Sequence, residues 1–133
     1  MHKDFIRADQ WSPKVIGAAI EVHKIKGPGL VEPIYEKCIL REFKLQEIPA
    51  IQQRPVENEY KGHVFEENMR LDLLVDNSLI VELKAVEKVL PIHKAQLLSY
   101  MKLLDKPVGL LINFHEILLK NGIHRMILPG ANQ

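Results

Sequence analysis

The stretch MRLDLLVDNSLIVELKAV, residues 69 to 86, contains two apolar runs separated by the polar tripeptide Asp76-Asn77-Ser78. Short apolar runs are typical of strands, and Asn and Ser favour tight turns because their side chains hydrogen-bond to nearby backbone. We therefore expect a β-hairpin whose turn is centred on Asn77. The pairing of its two strands decides where the charged residues that interrupt the apolar runs lie in the fold.

The register of the hairpin decides which charges meet. With the turn at Asn77, Asp72 falls opposite Glu82, and Arg70 falls opposite Lys84. Because side chains alternate between the faces of a sheet, Asp72, Glu82 and Lys84 are expected on one face. The other face is expected to be apolar core, formed by Leu71, Leu73, Val81, Leu83 and Ala85.

Two carboxylates that face each other across a sheet repel, by a few tenths to about 1 kcal/mol in solvent and by more when buried. One arrangement that relieves the repulsion is a salt-bridge network with Arg70 and Lys84. The other is Mg²⁺ or Mn²⁺ bound by Asp72, Glu82 and the backbone carbonyl of Leu83, with Lys84 orienting a metal-bound water. The residues alone leave both interpretations open.

The remaining pattern predicts an α/β or α+β sandwich around a mixed sheet, in a single domain over residues 1–133. Ser12 and Pro13 are typical of a helix start, and Gly27-Pro28-Gly29 is typical of a helix end. The expected helices are about 13–26, 31–47 and 91–104. The expected strands are about 51–60, a run from the Lys61-Gly62 turn to Val75, 79–86, 106–114, and a short strand after Lys120-Asn121-Gly122.

The third predicted helix has two stripes of different character. Its inward face is expected to carry Ile92, Ala95, Leu98 and Met101. A second stripe carries His93, Gln96 and Tyr100.

Composition excludes several classes of protein. The chain has 133 residues, 47% apolar and 26% charged, with a net charge of +1, which is typical of a globular protein without a broad basic surface. It lacks an apolar run long enough to span a bilayer and a visible secretory signal, and its one cysteine, Cys38, cannot form an internal disulfide. We therefore expect a cytoplasmic protein that does not bind membranes. Motifs of serine hydrolases, nucleotide-binding loops and zinc proteases are absent from the sequence.

Several separated blocks resemble a known family. The spacing of Asp72 from the Glu82-Leu83-Lys84 tripeptide across a hairpin resembles the PD-(D/E)XK nuclease superfamily, which includes restriction endonucleases. The block GLVEPIY, residues 29–35, is similar to the motif that names the small bacterial GxxExxY proteins. QLLSYMKL and GLLINF are similar to later blocks of the same family. The resemblance covers residues 14 to 127 and implies a restriction-endonuclease-like core of helix, three antiparallel strands, helix and a fourth strand, here with one extra N-terminal helix.

The resemblance also implies roles for individual residues. Asp72 and Glu82 would be metal-binding carboxylates and Lys84 the catalytic lysine. Glu32 would be the acid of the first core helix, which binds the metal directly or holds one of its waters, with Glu36 as the second candidate. Gln96 and Tyr100 match the QxxxY motif of exonuclease-like branches, in which these side chains face the substrate or the active site. Tyr35, in the GLVEPIY block, and Arg70, as part of a basic rim, are the other expected substrate contacts.

The sequence thus leads to one main hypothesis and two alternatives. The main hypothesis is a nuclease that hydrolyses nucleic acid, with DNA as the expected polymer, by means of water activated by Mg²⁺ or Mn²⁺. One alternative is a binding module for nucleic acid or protein that keeps the nuclease fold without turnover. The other is that the charges only set the hairpin register, in a monomer or a homodimer.

Overall fold

The structure is a computed structural model that describes residues 1–52, 54–69 and 71–133; the side chains of Arg54, Asn68 and Met69 also lie outside the description. The helices are α1 (Phe5–Lys26), α2 (Glu32–Leu45) and α3 (Pro91–Leu104). The strands are β1 (Ala50–Ile51), β2 (Arg54–Tyr60), β3 (His63–Met69), β4 (Leu73–Val75), β5 (Leu79–Lys84), β6 (Val108–Asn113) and β7 (Ile123–Ile127). A 3₁₀ turn at Leu119–Gly122 leads into β7.

The main sheet has five strands in the order β1-β4-β5-β6-β7. The β5–β6 pair is parallel and the other three pairs are antiparallel, so the sheet is mixed. Helix α3 forms the crossover between the parallel strands β5 and β6, as such a connection requires. The predicted α+β architecture with a mixed sheet is confirmed.

Two apolar cores lie on opposite faces of this sheet. The larger core packs α1 and α2 against one face, and the smaller core packs α3 against the other. Gly109 in β6 permits the close approach of α3, because a Cβ atom there would lie 2.8 Å from the Met101 sulfur and 2.9 Å from Leu97 Cδ1. The protein is therefore an α/β/α sandwich whose central strands are covered on both sides.

The register of the central hairpin agrees with the sequence prediction. Leu73 pairs with Val81, and Val75 pairs with Leu79. Asp76 and Asn77 in the turn have φ angles of 45° and 50°, a left-handed conformation that Asp and Asn tolerate better than most residues. The local turn chemistry therefore sets the register of the hairpin, and Asp72 lies one residue beyond its last pair, Leu73 with Val81.

The expected division of the hairpin into one core face and one charged face is wrong in part. Leu73, Val81 and Leu83 belong to the larger core, as expected, but Leu71 belongs to the smaller core on the other side. The reason is that β4 begins only at Leu73, so strand alternation does not extend back to Leu71. The face that carries Glu82 is also largely buried, since Ile80 on the same face packs in the smaller core.

The first helix is longer than the pattern indicates. It begins at Phe5 rather than near Pro13, and Ser12 is a buried residue within it rather than its N-cap. Tertiary contacts hold the extra turns despite the internal proline, which removes one helical hydrogen bond. Ala8 is fully buried, and the Trp11 indole N–H donates to Asp76 Oδ2 at 2.9 Å.

The long strand predicted from residue 62 to Val75 is divided between two sheets. Its first part, β3, pairs with β2 in a separate two-stranded ribbon, and its second part, β4, joins the main sheet. The division follows the composition, because β3 is HVFEENM and β4 is LLV, and only the second can lie in a core covered on both sides. The predicted edge position of the strand that contains Pro55 fits, since both strands of a two-stranded ribbon are edges.

Helix α3 has the predicted bounds, but its inward face agrees with the prediction only at its C-terminal end, where Met101 is buried and Leu98 is half-buried. Leu97 and Met101 are its buried residues, whereas Ile92 is 68% exposed and Ala95 is also exposed. The angular position of a helix depends on what it packs against, and here the contacts are on the sheet residues of the smaller core. Within the part of the chain that the structure describes, no helix is both long and apolar enough to cross a lipid bilayer.

Candidate active site

Asp72 and Glu82 are joined by backbone hydrogen bonds at the open end of the central hairpin. The Asp72 N–H donates to Glu82 Oε1 at 3.3 Å, and Asp72 Oδ2 accepts a hydrogen bond from the Leu83 N–H at 2.7 Å. Because β5 runs on to Lys84, beyond its last pair with β4 at Leu73↔Val81, these bonds replace the missing strand contacts. The two carboxylates are thereby held next to each other at the end of the β4–β5 hairpin.

Burial disfavours the charged forms of both acids, and a nearby negative charge adds to it: Asp72 for Glu82, and Glu36 for Asp72. Glu82 is 5% exposed, and burial, with the adjacent Asp72 charge, raises its pKa to about 8. Burial also raises the pKa of Asp72 from its ordinary value, against the lowering effect of the Leu83 N–H and of Lys84. A pair of buried like charges of this kind is stabilised when a cation is placed beside it.

Lys84 and two acids of α2 complete the electrostatic environment. Burial, and then the Asp72 charge, raise the pKa of Glu32, whereas Lys84 lowers it. Glu36 acts on both Asp72 and Glu32 as a further negative charge. Helix α2 therefore carries two carboxylates whose charges act on the site; the metal- or water-binding role of Glu32 stays a prediction.

The salt-bridge interpretation receives little support from the described residues. Among them, no ion pair within 4.0 Å joins Lys84 to an acid. Lys84 is half-buried and influences the carboxylates at longer range. Arg70, the other proposed partner and a predicted substrate contact, lies outside the described residues.

Helix α3 brings Tyr100 to the same site. Burial, and then the negative charges of Glu82 and Asp72, raise the pKa of the Tyr100 hydroxyl. Gln96 Nε2 donates to the Tyr100 hydroxyl oxygen at 3.1 Å, so the predicted stripe is formed. Gln96 is exposed and Tyr100 is half-buried, which leaves their polar groups accessible at the edge of the acid pair.

The oxygen ligands available at this site suit a hard divalent cation that keeps part of its water shell. No three His, Cys, Asp or Glu side chains within the described ranges are grouped so as to enclose a metal ion. Asp72 and Glu82 are nevertheless adjacent, and the Leu83 carbonyl points to the same strand edge as the Leu83 N–H that binds Asp72. Two carboxylates, a carbonyl and water are a ligand set that Mg²⁺ and Mn²⁺ accept.

Tyr35 is corrected from a substrate contact to a core residue. Its side chain is fully buried and stacks on Phe114, with a distance of 4.4 Å between ring centroids. Its hydroxyl donates to the Gly27 carbonyl at 2.6 Å and accepts from the Leu30 N–H at 3.1 Å. The ring thus fastens the loop before α2 to the core, and in this way it supports the position of Glu32.

Asn113 is a supporting residue that the sequence reasoning missed. It pairs with Lys84 across β5 and β6, and its side chain is fully buried. The amide donates to the Val86 carbonyl at 2.8 Å and accepts from the Val86 N–H at 3.0 Å, so it holds the chain just after Lys84. The sequence contains one sign of this role: Asn113 is the only polar side chain in the otherwise apolar strand VGLLIN.

Comparisons with known proteins bear on the fold and the family. A family model of the PD-(D/E)XK nuclease superfamily matches residues 9–126. Among solved structures, the crystal structure of SSO0001 is similar at a TM-score of 0.53 and 20% sequence identity, covering 92% of this chain and 61% of that chain. The chain spans less than two thirds of the length of SSO0001, and at this identity the likeness shows a shared fold alone. No curated protein matches the chain. The findings agree with the restriction-endonuclease-like fold expected from the sequence.

Proposed function

Because the chain belongs to the PD-(D/E)XK nuclease superfamily, we propose that it hydrolyses phosphodiester bonds of nucleic acid with the help of a bound divalent cation. The observation that carries the proposal is that the half-buried Asp72 and the buried Glu82 are joined by backbone hydrogen bonds, with Lys84 close enough to lower the pKa of both. The family implies a nucleic-acid substrate, and nucleases of this superfamily typically use divalent metal ions.

Each residue of the site has a role in this proposal. Asp72, Glu82 and the Leu83 carbonyl would hold Mg²⁺ or Mn²⁺, and Glu32 would hold a water beside them. When bound, the cation lowers the pKa of a water and offsets negative charge on the phosphate. The Lys84 ammonium orients the attacking water and stabilises charge that develops on a phosphoryl oxygen.

The residues on α3 act on the substrate rather than on the attacking water. The Tyr100 hydroxyl is protonated at neutral pH, as a tyrosine ordinarily is, and can donate to a phosphate oxygen. Gln96 orients the same hydroxyl through its hydrogen bond.

The finer assignments of this proposal are membership of the GxxExxY group of small bacterial proteins, DNA as the polymer, and a cytoplasmic location. They rest on the block at residues 29–35 and on the single cysteine, Cys38, which fits a reducing compartment.

The test is a cleavage assay with single-stranded and duplex DNA and RNA in the presence of Mg²⁺, Mn²⁺ or EDTA. We expect cation-dependent cleavage that falls by about a hundredfold or more in Asp72→Asn and Lys84→Ala. Lys44→Ala, which removes an exposed lysine from the end of α2, is the matched control and should cut like the wild type. Cleavage that persists in EDTA or in Lys84→Ala would contradict this mechanism. Binding of nucleic acid or Mn²⁺ without any cleavage would instead indicate the non-catalytic module.

A further inference from the structure

The two-stranded ribbon of β2 and β3 has two chemically different faces. In its register Tyr60 pairs with His63 and Asn58 pairs with Phe65, and each such pair lies on one face. Since side chains alternate along a strand, Tyr60, His63 and Phe65 share a face. We call it the aromatic face.

The rings of the aromatic face are accessible and follow one another towards the tip of the ribbon. Tyr60 is 65% exposed and Phe65 is 36% exposed. The His63 and Phe65 rings are stacked with 6.0 Å between their centroids. At the tip, the Lys61 ammonium lies 5.4 Å from the centroid of the Tyr60 ring. A row of exposed rings with a cation beside it is the arrangement on which bases of single-stranded nucleic acid stack.

The opposite face of the ribbon is acidic. It carries Glu57, Glu59 and Glu66, and Glu57 lies directly opposite Glu66 in the register. Like charges placed opposite each other destabilise a ribbon. The same carboxylates repel a polyanion such as nucleic acid, so this face is a poor surface for binding one. One further carboxylate, Glu67, shares the aromatic face but lies at its base, opposite Val56.

The ribbon leads directly from the candidate active site. Val56 at its base is 5% exposed, and β2 contacts α3, the helix that carries Tyr100. Strand β3 ends at Met69, three residues before Asp72. Since Val56 shares the face of Asn58 and Tyr60, the base of the aromatic face lies beside the helix that carries Tyr100.

We propose that the aromatic face, formed by Tyr60, His63 and Phe65, is a stacking platform for unpaired bases of the nucleic-acid strand that enters the site. This inference rests on the proposed function and adds to it a preference for single-stranded substrate. Rings select unpaired bases because bases within a duplex are already stacked and present no free face. The acidic face directs the phosphates to the other side of the ribbon by repulsion.

The experiment measures binding by fluorescence anisotropy at low salt in EDTA, which prevents metal-dependent cleavage. The probes are fluorescein-labelled oligo(deoxythymidine), oligo(uridine) and a blunt DNA duplex of equal length. We expect the wild type to bind the single strands more tightly than the duplex. Tyr60→Ala and Phe65→Ala should each weaken single-strand binding about fivefold or more, and Tyr60→Phe should retain it. The two single-stranded probes distinguish a DNA strand from an RNA strand.

Val64→Ala is the matched control, because Val64 is 55% exposed on β3 but belongs to the opposite face. It should leave binding within about twofold of the wild type. Far-ultraviolet circular dichroism and thermal melting verify that the ribbon variants fold. The inference is overturned if Tyr60→Ala binds single strands like the wild type, or if Val64→Ala weakens binding equally.

The cleavage assay separates this inference from the proposed function. If the ring variants cut and bind single strands as the wild type does, the platform is wrong and the nuclease assignment stands. If the wild type neither cuts nor binds any of these probes, both are wrong.

Discussion

The N–H of Asp72 donates to the carboxylate of Glu82 at 3.3 Å, so two acids that should repel are tied together by the backbone of one of them. The Leu83 N–H completes the link by donating to Asp72 Oδ2 at 2.7 Å. The carboxylates are thus positioned by main-chain groups that do not depend on side-chain rotamers. Positioning of this kind brings the acids together but leaves the repulsion between them in place.

Divalent cations should stabilise the fold through this acid pair. A ligand that binds only the folded state adds about 2.7 kcal/mol to the free energy of unfolding at a hundredfold excess over its Kd. We expect Mn²⁺ to raise the Tm of the wild type by several degrees and to have little effect on Asp72→Asn. Lys84→Ala is the control, because a lysine is not a ligand and the variant should keep the Mn²⁺ effect. An equal rise in Tm for the wild type and Asp72→Asn would place the cation elsewhere.

Without a cation, stability should fall as the pH rises from about 5 to 8. The pKa of Glu82 is raised from 4.5 to about 8 by burial and the Asp72 charge, so in this range the folded protein holds a proton that the unfolded chain has released. Folded protein that binds more protons than unfolded protein loses stability with rising pH. Glu82→Gln removes this titration and should be more stable than the wild type by roughly 2 kcal/mol at pH 8.

Urea unfolding in EDTA across that pH range measures the effect. Glu87→Gln, at an exposed position beyond β5, should keep the slope of the wild type. A wild-type stability that is constant or increases between pH 5 and pH 8 would show that Glu82 is ionised in the folded protein.

Removal of the Tyr35 hydroxyl should affect stability but not catalysis. Tyr35→Phe loses the bonds to the Gly27 carbonyl and the Leu30 N–H, which should cost about 1 to 2 kcal/mol in the free energy of unfolding. The stacked ring remains, so kcat per folded molecule should be unchanged. Normal stability with reduced cleavage would instead mean that the hydroxyl contacts substrate.

Asn113 should be required for the chain that follows Lys84. Asn113→Ala removes both bonds to the Val86 backbone and should lower the free energy of unfolding by about 2 to 3 kcal/mol, because partly buried polar groups lose their partner. Asn121→Ala, at an exposed position, should change it by less than about 0.5 kcal/mol. Denaturant unfolding measures the free energy of unfolding of both variants. Equal values for Asn113→Ala and Asn121→Ala would mean that water can replace the Asn113 amide in its bonds to Val86.

Much of the fold could be predicted because its signals are local. The turn at Asp76 and Asn77 sets the hairpin register, and proline and glycine positions predicted the bounds of α2 and α3 closely. The superfamily resemblance, drawn from residues within that hairpin and from separate blocks, is confirmed by the family match over residues 9–126. The subfamily, the roles of the site residues and the cation remain proposals.

Predictions that depended on long-range packing were less successful. The inward face of α3 was misjudged because Ile92 is as apolar as the residues that are in fact buried. The extension of α1 to Phe5 depends on the Trp11 bond to Asp76, which joins residues far apart in the chain. Long-range packing also determines two other features. Strand β4 joins the main sheet whereas β3 does not, and Tyr35 is buried because it packs on Phe114.

The amino-acid sequence by itself determined the register of the hairpin, which places Asp72 beside Glu82, since a turn and a two-residue alternation are properties of neighbouring residues. Only the tertiary structure decided the electrostatic state of that pair. The pKa values of Asp72, Glu82 and Tyr100 depend on how much water α2 and α3 exclude and on charges that those helices carry to the hairpin. The physical reason is that register arises from short-range geometry, whereas desolvation is a property of the whole packed molecule.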